Sequence, residues 1–436
     1  MPRVLVVSPH FPPVNAPDMQ RARLALPHLR ALGWEPVVLA VAPGLVEGAV
    51  LDPVLEKTYP PDIRVVRVGG IPHLVTRRLG FGSLWWRCGA ALRRAGDRLL
   101  AAEKFDLVFF STTQFDAFGL GPRWRARFGV PYVLDYQDPW VNDYYLRTRT
   151  PPPGGPFKFW LSQFTARRRE PAAVRAAAAI VAVSPSYGPD LVQRYPGLDR
   201  ERIHHLPFGA AATDFEIARQ HVPAKPLVPF GDGRTHFVYA GRCGPDMSRS
   251  LILLFRAYRL YLASHPREAE MIRFHFIGTD YAPPPLGRYW ALPIARQENV
   301  ESYVSEHCYR VPYFDALSYL VRADALLAVG SNDPTYSASK IFPYLIARRP
   351  LLTIVHEDSI MLKLSRGQGV GSSYGFSNAD AGLDGLVDRI YREWFVAGGH
   401  GVVPAGDPEL LNELTSLGMA RRLAAIFDRS LGSAQP

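Results

Sequence analysis

The residues Thr335, Tyr336, Ser337, Ala338, Ser339, Lys340, Ile341, Phe342, Pro343, Tyr344 and Leu345 follow an apolar run, Ala325 to Val329, and lead into helical spacing. A helix that starts there offers unpaired N–H groups and the positive end of its dipole to an anion. Ser339 is a good N-cap, Ser337 adds a hydroxyl and Lys340 a full positive charge, so the segment can cradle a diphosphate without a metal. Pro343 sets the boundary. A helix beginning well before Ser339 would enclose the proline at a cost of about 3 kcal/mol, which puts the expected start at Ser339 or Lys340. The same pattern also describes an ordinary capped helix with an exposed lysine, and the segment alone does not decide.

Other chemistries are poorly served. No G-x-G-x-x-G follows a strand, and the nearest approach, Gly367 to Gly375, has no convincing strand before it. Walker A and H-E-x-x-H patterns are absent, and no D-x-D pair stands ready to hold a metal-bound diphosphate. Cys88, Cys243 and Cys308 are far apart, without ligand spacing, which argues against zinc and disulfides. The expectation is therefore a site with no metal and no resident cofactor.

The elements that must position such a site alternate short β-branched runs with longer helical stretches, the signature of parallel sheets flanked by helices. One series comprises Val4 to Val7, Glu35 to Ala42, Ile63 to Val68, Leu107 to Ser111, Tyr132 to Leu134 and Ile180 to Val183. A second comprises His236 to Ala240, Arg273 to Ile277, Ala325 to Val329 and Leu351 to Val355. Between them a stretch rich in proline and glycine reads as a linker. The expected organisation is an N-terminal Rossmann-like domain over 1–216, a linker over 217–233, a second doubly wound domain over 234–413, and a tail over 414–436 whose helix crosses back to the first domain. With 436 residues the chain is long enough for two such α/β cores, and two lobes imply a cleft.

The N-terminal strand is followed at once by Ser8, Pro9 and His10, unlike a signal peptide, and no apolar run reaches membrane-spanning length, so a cytoplasmic setting is expected. The formal charge of +10 asks for an acidic partner. Arg77, Arg78, Arg87, Arg93, Arg94 and Arg98 mix with Leu79, Phe81, Leu84, Trp85 and Trp86, and Lys158, Trp160 and Arg167 to Arg169 form a second cluster. These stretches read either as solvated faces of amphipathic helices or as contacts with anionic lipid, giving peripheral attachment at the inner face of a membrane. Nucleic acid is disfavoured, since no RNP-like pattern or basic low-complexity tail accompanies the arginines.

Five segments in order carry a resemblance to a known family: VLVVSPHFPP (Val4 to Pro13), VPYVLDYQDPW (Val130 to Trp140), IVAVSPSYGPDLVQRY with RIHHLPFG (Ile180 to Gly209), FVYAGR (Phe237 to Arg242) and the stretch from Arg310 to Pro350. Together they resemble family 4 glycosyltransferases of GT-B fold. The resemblance implies two Rossmann-like domains and retaining transfer of a sugar from a nucleoside diphosphate sugar to a saccharide or lipid-linked saccharide, in polysaccharide or glycoconjugate synthesis. It implies a phosphate-binding role for Arg242, beside Gly241, with Arg249 or Lys340 supplying the charge of a lysine that this chain lacks. The nucleobase is expected against the loop of Arg310, Val311 and Tyr313, and the donor against Tyr336, Ser337, Ala338 and Ser339. On the acceptor side the resemblance points to His10, Asn15, Gln137 and Trp140. Glutamine cannot take a proton, so Asp138 is the expected acid/base or acceptor-orienting group.

Two departures stand out. Pro343 occupies the place of a ribose-binding glutamate, leaving Tyr336, Asn332 or Asp333 as substitutes, and the glycine-rich first loop is replaced by Pro13 to Pro17. They keep open a catalytically inactive scaffold or activator on the same fold. A sugar-nucleotide epimerase is the further alternative, although no convincing set of carboxylates for it is present.

Overall fold

A computed structural model describes residues 1–77, 82–143, 155–282, 284–334, 341–379 and 382–432. It divides into two compact units, one formed by Met1–Gly209 with the chain from Ser416 onward, the other by Ala210–Thr415.

The first unit is built on strands β1 (Arg3–Val7), β2 (Glu35–Val41), β3 (Val65–Val68), β4 (Leu107–Ser111), β5 (Tyr132–Tyr136), β6 (Ala179–Ala182) and β7 (Ile203–His205). They form one parallel sheet in the order β3-β2-β1-β4-β5-β6-β7. The central strands are buried along their length, which is why Val4 to Val7 and Leu107 to Phe110 read as continuous apolar runs rather than alternating ones. The helices that matter below are α1 (Gln20–Leu29), α2 (Leu84–Ala102), α3 (Leu120–Phe128), α4 (Pro156–Ala176) and α5 (Tyr187–Arg194).

The second unit carries β8 (Thr235–Ala240), β9 (Ile272–Ile277), β10 (Val304–His307), β11 (Ala325–Val329), β12 (Leu351–His356) and β13 (Ser373–Phe376), parallel and in the order β10-β9-β8-β11-β12-β13. Its helices include α6 (Ala212–Gln220), α7 (Ser248–Ser264), α8 (Tyr313–Arg322) and α9 (Ile341–Ile346). The chain enters this unit at Ala210, ahead of the boundary expected at 216. The reason is α6: Phe215 and Ala218 are buried, and Asp214 accepts a hydrogen bond from the Tyr313 hydroxyl of α8 at 2.8 Å. The first residues of the expected linker thus close a helix of the second unit.

Helix α10 (Ser416–Gly432) belongs to the first unit and packs on α1. Phe427 meets Trp34 and Phe109 edge-on at 5.3 and 5.1 Å, and Asp428 accepts from the Trp34 indole at 2.9 Å. The GT-B class of fold, two parallel α/β sheets each wrapped by helices, is the one expected from the sequence.

Candidate active site

In each sheet the strand order reverses once, between β1 and β4 in the first unit and between β8 and β11 in the second. Loops leaving the carboxyl ends of strands on either side of such a reversal diverge and leave a crevice, where ligands bind in open α/β sheets.

At the first reversal, Asp18 from the loop after β1 bridges to the loop after β4. Its Oδ2 accepts from the Thr112 hydroxyl at 3.0 Å and from the Thr113 N–H at 3.1 Å, and its Oδ1 lies 2.8 Å from His10 Nδ1. Burial alone would raise the Asp18 pKa, but the His10 ring together with these hydrogen bonds holds it below its ordinary value. An ionised carboxylate only accepts, so His10 Nδ1 donates to Asp18.

Asp138, in the loop after β5, remains exposed at the surface, yet burial of its carboxyl and then the nearby Asp18 charge push its pKa up to about 6. The Tyr187 hydroxyl at the start of α5 is pushed up to about 12, by burial first and then by Asp138 and Asp190. The crevice therefore gathers His10, Asp18, Asp138 and Tyr187, a polar set in which the Asp138 carboxyl can exchange a proton near pH 6.

Two expected acceptor residues turn inward. Gln137 Nε2 lies 2.8 Å from Asp135 Oδ2, 3.0 Å from the Asp18 carbonyl and 3.3 Å from Ser111 Oγ, so its amide braces the crevice from below. Trp140 is buried in the apolar core, stacked on Phe115 at 6.1 Å and edge-on to Phe118 at 5.8 Å. Asn15 is largely buried, its backbone N–H bonded to the Val50 carbonyl at 2.8 Å.

Beneath them Arg21 of α1, fully buried, pairs with Asp135 at 2.8 Å and donates to the carbonyls of Leu206 at 2.6 Å and Pro207 at 3.3 Å. Glu170 of α4 accepts from the hydroxyls of Tyr136 and Tyr195 and, through the Val141 N–H at 3.4 Å, from the loop that carries Asp138.

At the second reversal the β8–β11 ladder is short, with register pairs only at Phe237–Ala325 and Val238–Leu326, so the two strands part toward their carboxyl ends. The Tyr344 hydroxyl of α9 takes over where the ladder stops, accepting from the Ala240 N–H at 2.9 Å and donating to its carbonyl at 3.0 Å. Gly241 follows with φ 142°, a conformation that favours glycine, and turns the chain so that Arg242 leaves the sheet.

The Arg242 guanidinium is oriented by Asp246, Nη1 to Oδ2 at 3.1 Å and Nη2 to Oδ1 at 2.9 Å. The Asp246 carbonyl in turn accepts from the Asn332 N–H at 2.8 Å, tying the loops after β8 and β11 together. Arg249 of α7 donates to the carbonyls of Ala379 and Asn378 at 3.1 and 3.2 Å, and Asn378 Nδ2 reaches the Asn332 carbonyl at 3.0 Å. A depression of about 530 Å³ lies among Asp246, Ser248, Arg249, Asn332 and Asp384.

Arg310 is exposed and Val311 half-buried in the loop after β10, while Tyr313 opens α8 with its hydroxyl on Asp214 and its ring against Phe314 at 5.2 Å. Thr335, Tyr336, Ser337, Ala338, Ser339 and Lys340 lie outside the described residues. Helix α9 is described from Ile341, which puts Pro343 in its first described turn.

Several residues that organise the site escape sequence reasoning. Asp246 was within reach, four residues after Arg242, and Asp18 sits eight after His10 in the same loop. Arg21 and Tyr344 carry no local signal, because their partners are remote in the chain.

Residues 20–209 match the family model of the glycosyl transferase 4-like domain. A comparison with curated proteins gives no match. Among solved structures the fold is similar to that of HepE from Anabaena in complex with UDP and glucose, with TM-score 0.57 and 13% identity, covering 98% of this chain and 99% of that one. It is similar to α,α-trehalose 6-phosphate synthase from Burkholderia multivorans, with TM-score 0.59, 14% identity and 100% of both chains. A glycosyltransferase from Rickettsia africae gives TM-score 0.56 at 13% identity, over 99% of this chain and 98% of that one. At such identities the likeness speaks for the fold, which is GT-B, while the domain match makes residues 20–209 similar to the glycosyl transferase 4-like domain.

Proposed function

We propose that the protein transfers a sugar from a uridine diphosphate sugar to a saccharide or lipid-linked saccharide, with retention of anomeric configuration. The observation that carries this reading is the gathering of charged loops at both strand reversals, with His10, Asp18 and Asp138 at one and Arg242, Asp246 and Asn332 at the other. Uridine is favoured because the Anabaena structure holds UDP and the Burkholderia xenovorans synthase is UDP-forming.

In this reading Arg242, held in orientation by Asp246, meets the negative charge that builds on the leaving diphosphate. Five N–H donors in a rigid fork allow a guanidinium to serve Asp246 and a phosphate together. Arg249, Lys340 and the start of the helix after β11 supplement that charge without a metal. On the acceptor side His10 Nε2 hydrogen-bonds a sugar hydroxyl, and Asp138 orients the attacking hydroxyl or relays its proton.

The test is a thermal-shift panel of UDP, GDP, ADP and dTDP, followed by transfer assays with the corresponding sugars in EDTA and with added Mg²⁺. UDP is expected to stabilise the wild-type chain and not Arg242→Ala, transfer is expected to survive EDTA, and the product's anomeric coupling is expected to match the donor's. UDP binding with no transfer across a broad acceptor panel would instead favour the inactive scaffold, and a preference for another nucleotide would sink the uridine assignment.

A further inference from the structure

Helix α4 has two apolar faces, and among the described residues one of them is left exposed. Its buried residues, Ala166, Glu170, Ala173 and Val174, all lie from the middle of the helix onward. On the opposite side, at helical spacing, stand Phe157, Trp160, Leu161 and Phe164, which are 73%, 59%, 46% and 41% exposed. Phe157, Trp160 and Phe164 stack on one another in sequence at 6.3 and 5.5 Å, so the stripe is preformed. It is not an isolated surface hydrophobe of the ordinary kind.

The stripe is bordered by positive charge. The Arg168 guanidinium lies over the Phe164 ring at 4.3 Å, and Lys158 is exposed beside Phe157. Arg167 and Arg169 pair with Asp143 and Asp116, whereas Lys158 and Arg168 form no ion pair among the described residues. Thr165 and Arg169 of α4 face Trp85, Trp86, Gly89, Ala90 and Arg93 of α2 across a groove of about 280 Å³. Trp86 is exposed there, as are Arg93 and Arg94 on the same helix. Beside α2, the Ile71 N–H is bonded to the Arg87 carbonyl at 3.1 Å, and the exposed Leu74 and Val75 follow. Arg78, Leu79 and Phe81, part of the same stretch in the sequence, lie outside the described residues.

We infer that this face of the first unit docks on an anionic lipid bilayer, with the α4 stripe inserted to the depth of the headgroup and acyl boundary and the cations on the lipid phosphates. An uncovered aromatic stripe edged by lysine and arginine is the arrangement by which a helix lies in a bilayer interface. The charge complementarity selects an anionic surface over a neutral one. Among the described residues no helix is long and apolar enough to cross a membrane, so the attachment is peripheral. The inference is independent of the transfer reaction and stands or falls separately.

The experiment is flotation of the full-length protein with vesicles of phosphatidylcholine alone and with about one third phosphatidylglycerol. The protein is expected to float with the anionic vesicles, to remain below with the neutral ones, and to be released as salt shortens the reach of the charges. Phe157→Ser with Trp160→Ser is expected to weaken binding at least tenfold, and Lys158→Glu with Arg168→Glu to abolish the preference for anionic lipid. Both pairs are exposed, so their melting temperatures should match wild type, and transfer to a soluble acceptor should be unchanged. Equal behaviour with both vesicle types, or undiminished flotation of the serine variant, would overturn the inference. So would a wild-type dimer in sedimentation that the serine variant converts to monomer, because the stripe would then meet a second copy of the chain.

Discussion

Asp138 combines an open position with a carboxyl that titrates near pH 6, set by burial and by the Asp18 charge. Its folded pKa lies above the ordinary carboxylate value, so below about pH 6 it is protonated and cannot accept a proton or an ionic hydrogen bond from the acceptor. The rate of transfer, as kcat/KM, is therefore expected to rise with pH through about 6 and then level off. Asp138→Asn should lose that limb and about 10²-fold in rate while leaving the thermal shift by UDP intact. A retained limb would assign the titration to another group. The positions of Asp138 and His10, in loops just beyond strand ends, were legible because topology alone places such residues. The inward turn of Gln137 and the core position of Trp140 were not. Nothing near them in sequence announces Ser111, Asp135 or Phe118, whose side chains decide where they go.

The elements add two constraints. Tyr344 joins α9 to the last residue of β8, so its hydroxyl holds the Arg242 loop against the helix that follows β11. Tyr344→Phe strands both polar groups of Ala240 in a partly buried site, a loss of about 1 to 3 kcal/mol. UDP affinity is expected to fall more than tenfold, and unchanged affinity would separate this hydroxyl from the donor site.

Across three neighbouring strands runs a second polar chain. Asp232 Oδ1 lies 3.0 Å from His236 Nε2, His236 Nδ1 lies 2.9 Å from His275 Nε2, and His275 Nδ1 lies 2.7 Å from Ser305 Oγ. Burial, then the neighbouring His236, pushes His275 down to about 4, with Asp232 opposing and Arg273 reinforcing the shift. A histidine held neutral by the fold takes up its proton more readily once unfolded. Its share of stability is complete above about pH 6.5 and lost as pH falls toward 4. The melting temperature of the second unit should drop over that window, and His275→Gln should flatten the drop. Among strands, the sequence made the central ones plain and hid β7, β10 and β13. All three are edge strands with histidine, glutamate, serine or glycine where an inner strand would carry valine or leucine.

For the molecule as a whole, the division into two units bears on how it melts. Two compact bodies, each with its own sheet and core, are expected to give two calorimetric transitions rather than one. UDP should raise the transition of the second unit, by about 2.7 kcal/mol at a hundredfold excess over Kd. Phe427→Ala, in contact with Trp34 and Phe109, should lower the other by about 3 to 5 kcal/mol. A single transition shifted by both would show that the bodies unfold together. That there are two domains was legible from the repeated strand and helix alternation. The point of passage between them was not, because α6 carries few apolar residues and its allegiance is decided by Tyr313 and Asp315, about a hundred positions later.

The return of α10 to the first unit also sets an order of events during synthesis. The α1 face that α10 covers lies within Gln20–Leu29, whereas Met419, Leu423, Ile426 and Phe427 emerge only after the second unit. At bacterial or eukaryotic elongation rates the whole second unit takes roughly 10 to 40 s to translate. Throughout that time the nascent first unit presents an unclosed apolar flank. Truncation between Thr415 and Met419 is expected to leave that flank uncovered, read as a lower yield of soluble protein than a cut within the second unit alone would explain.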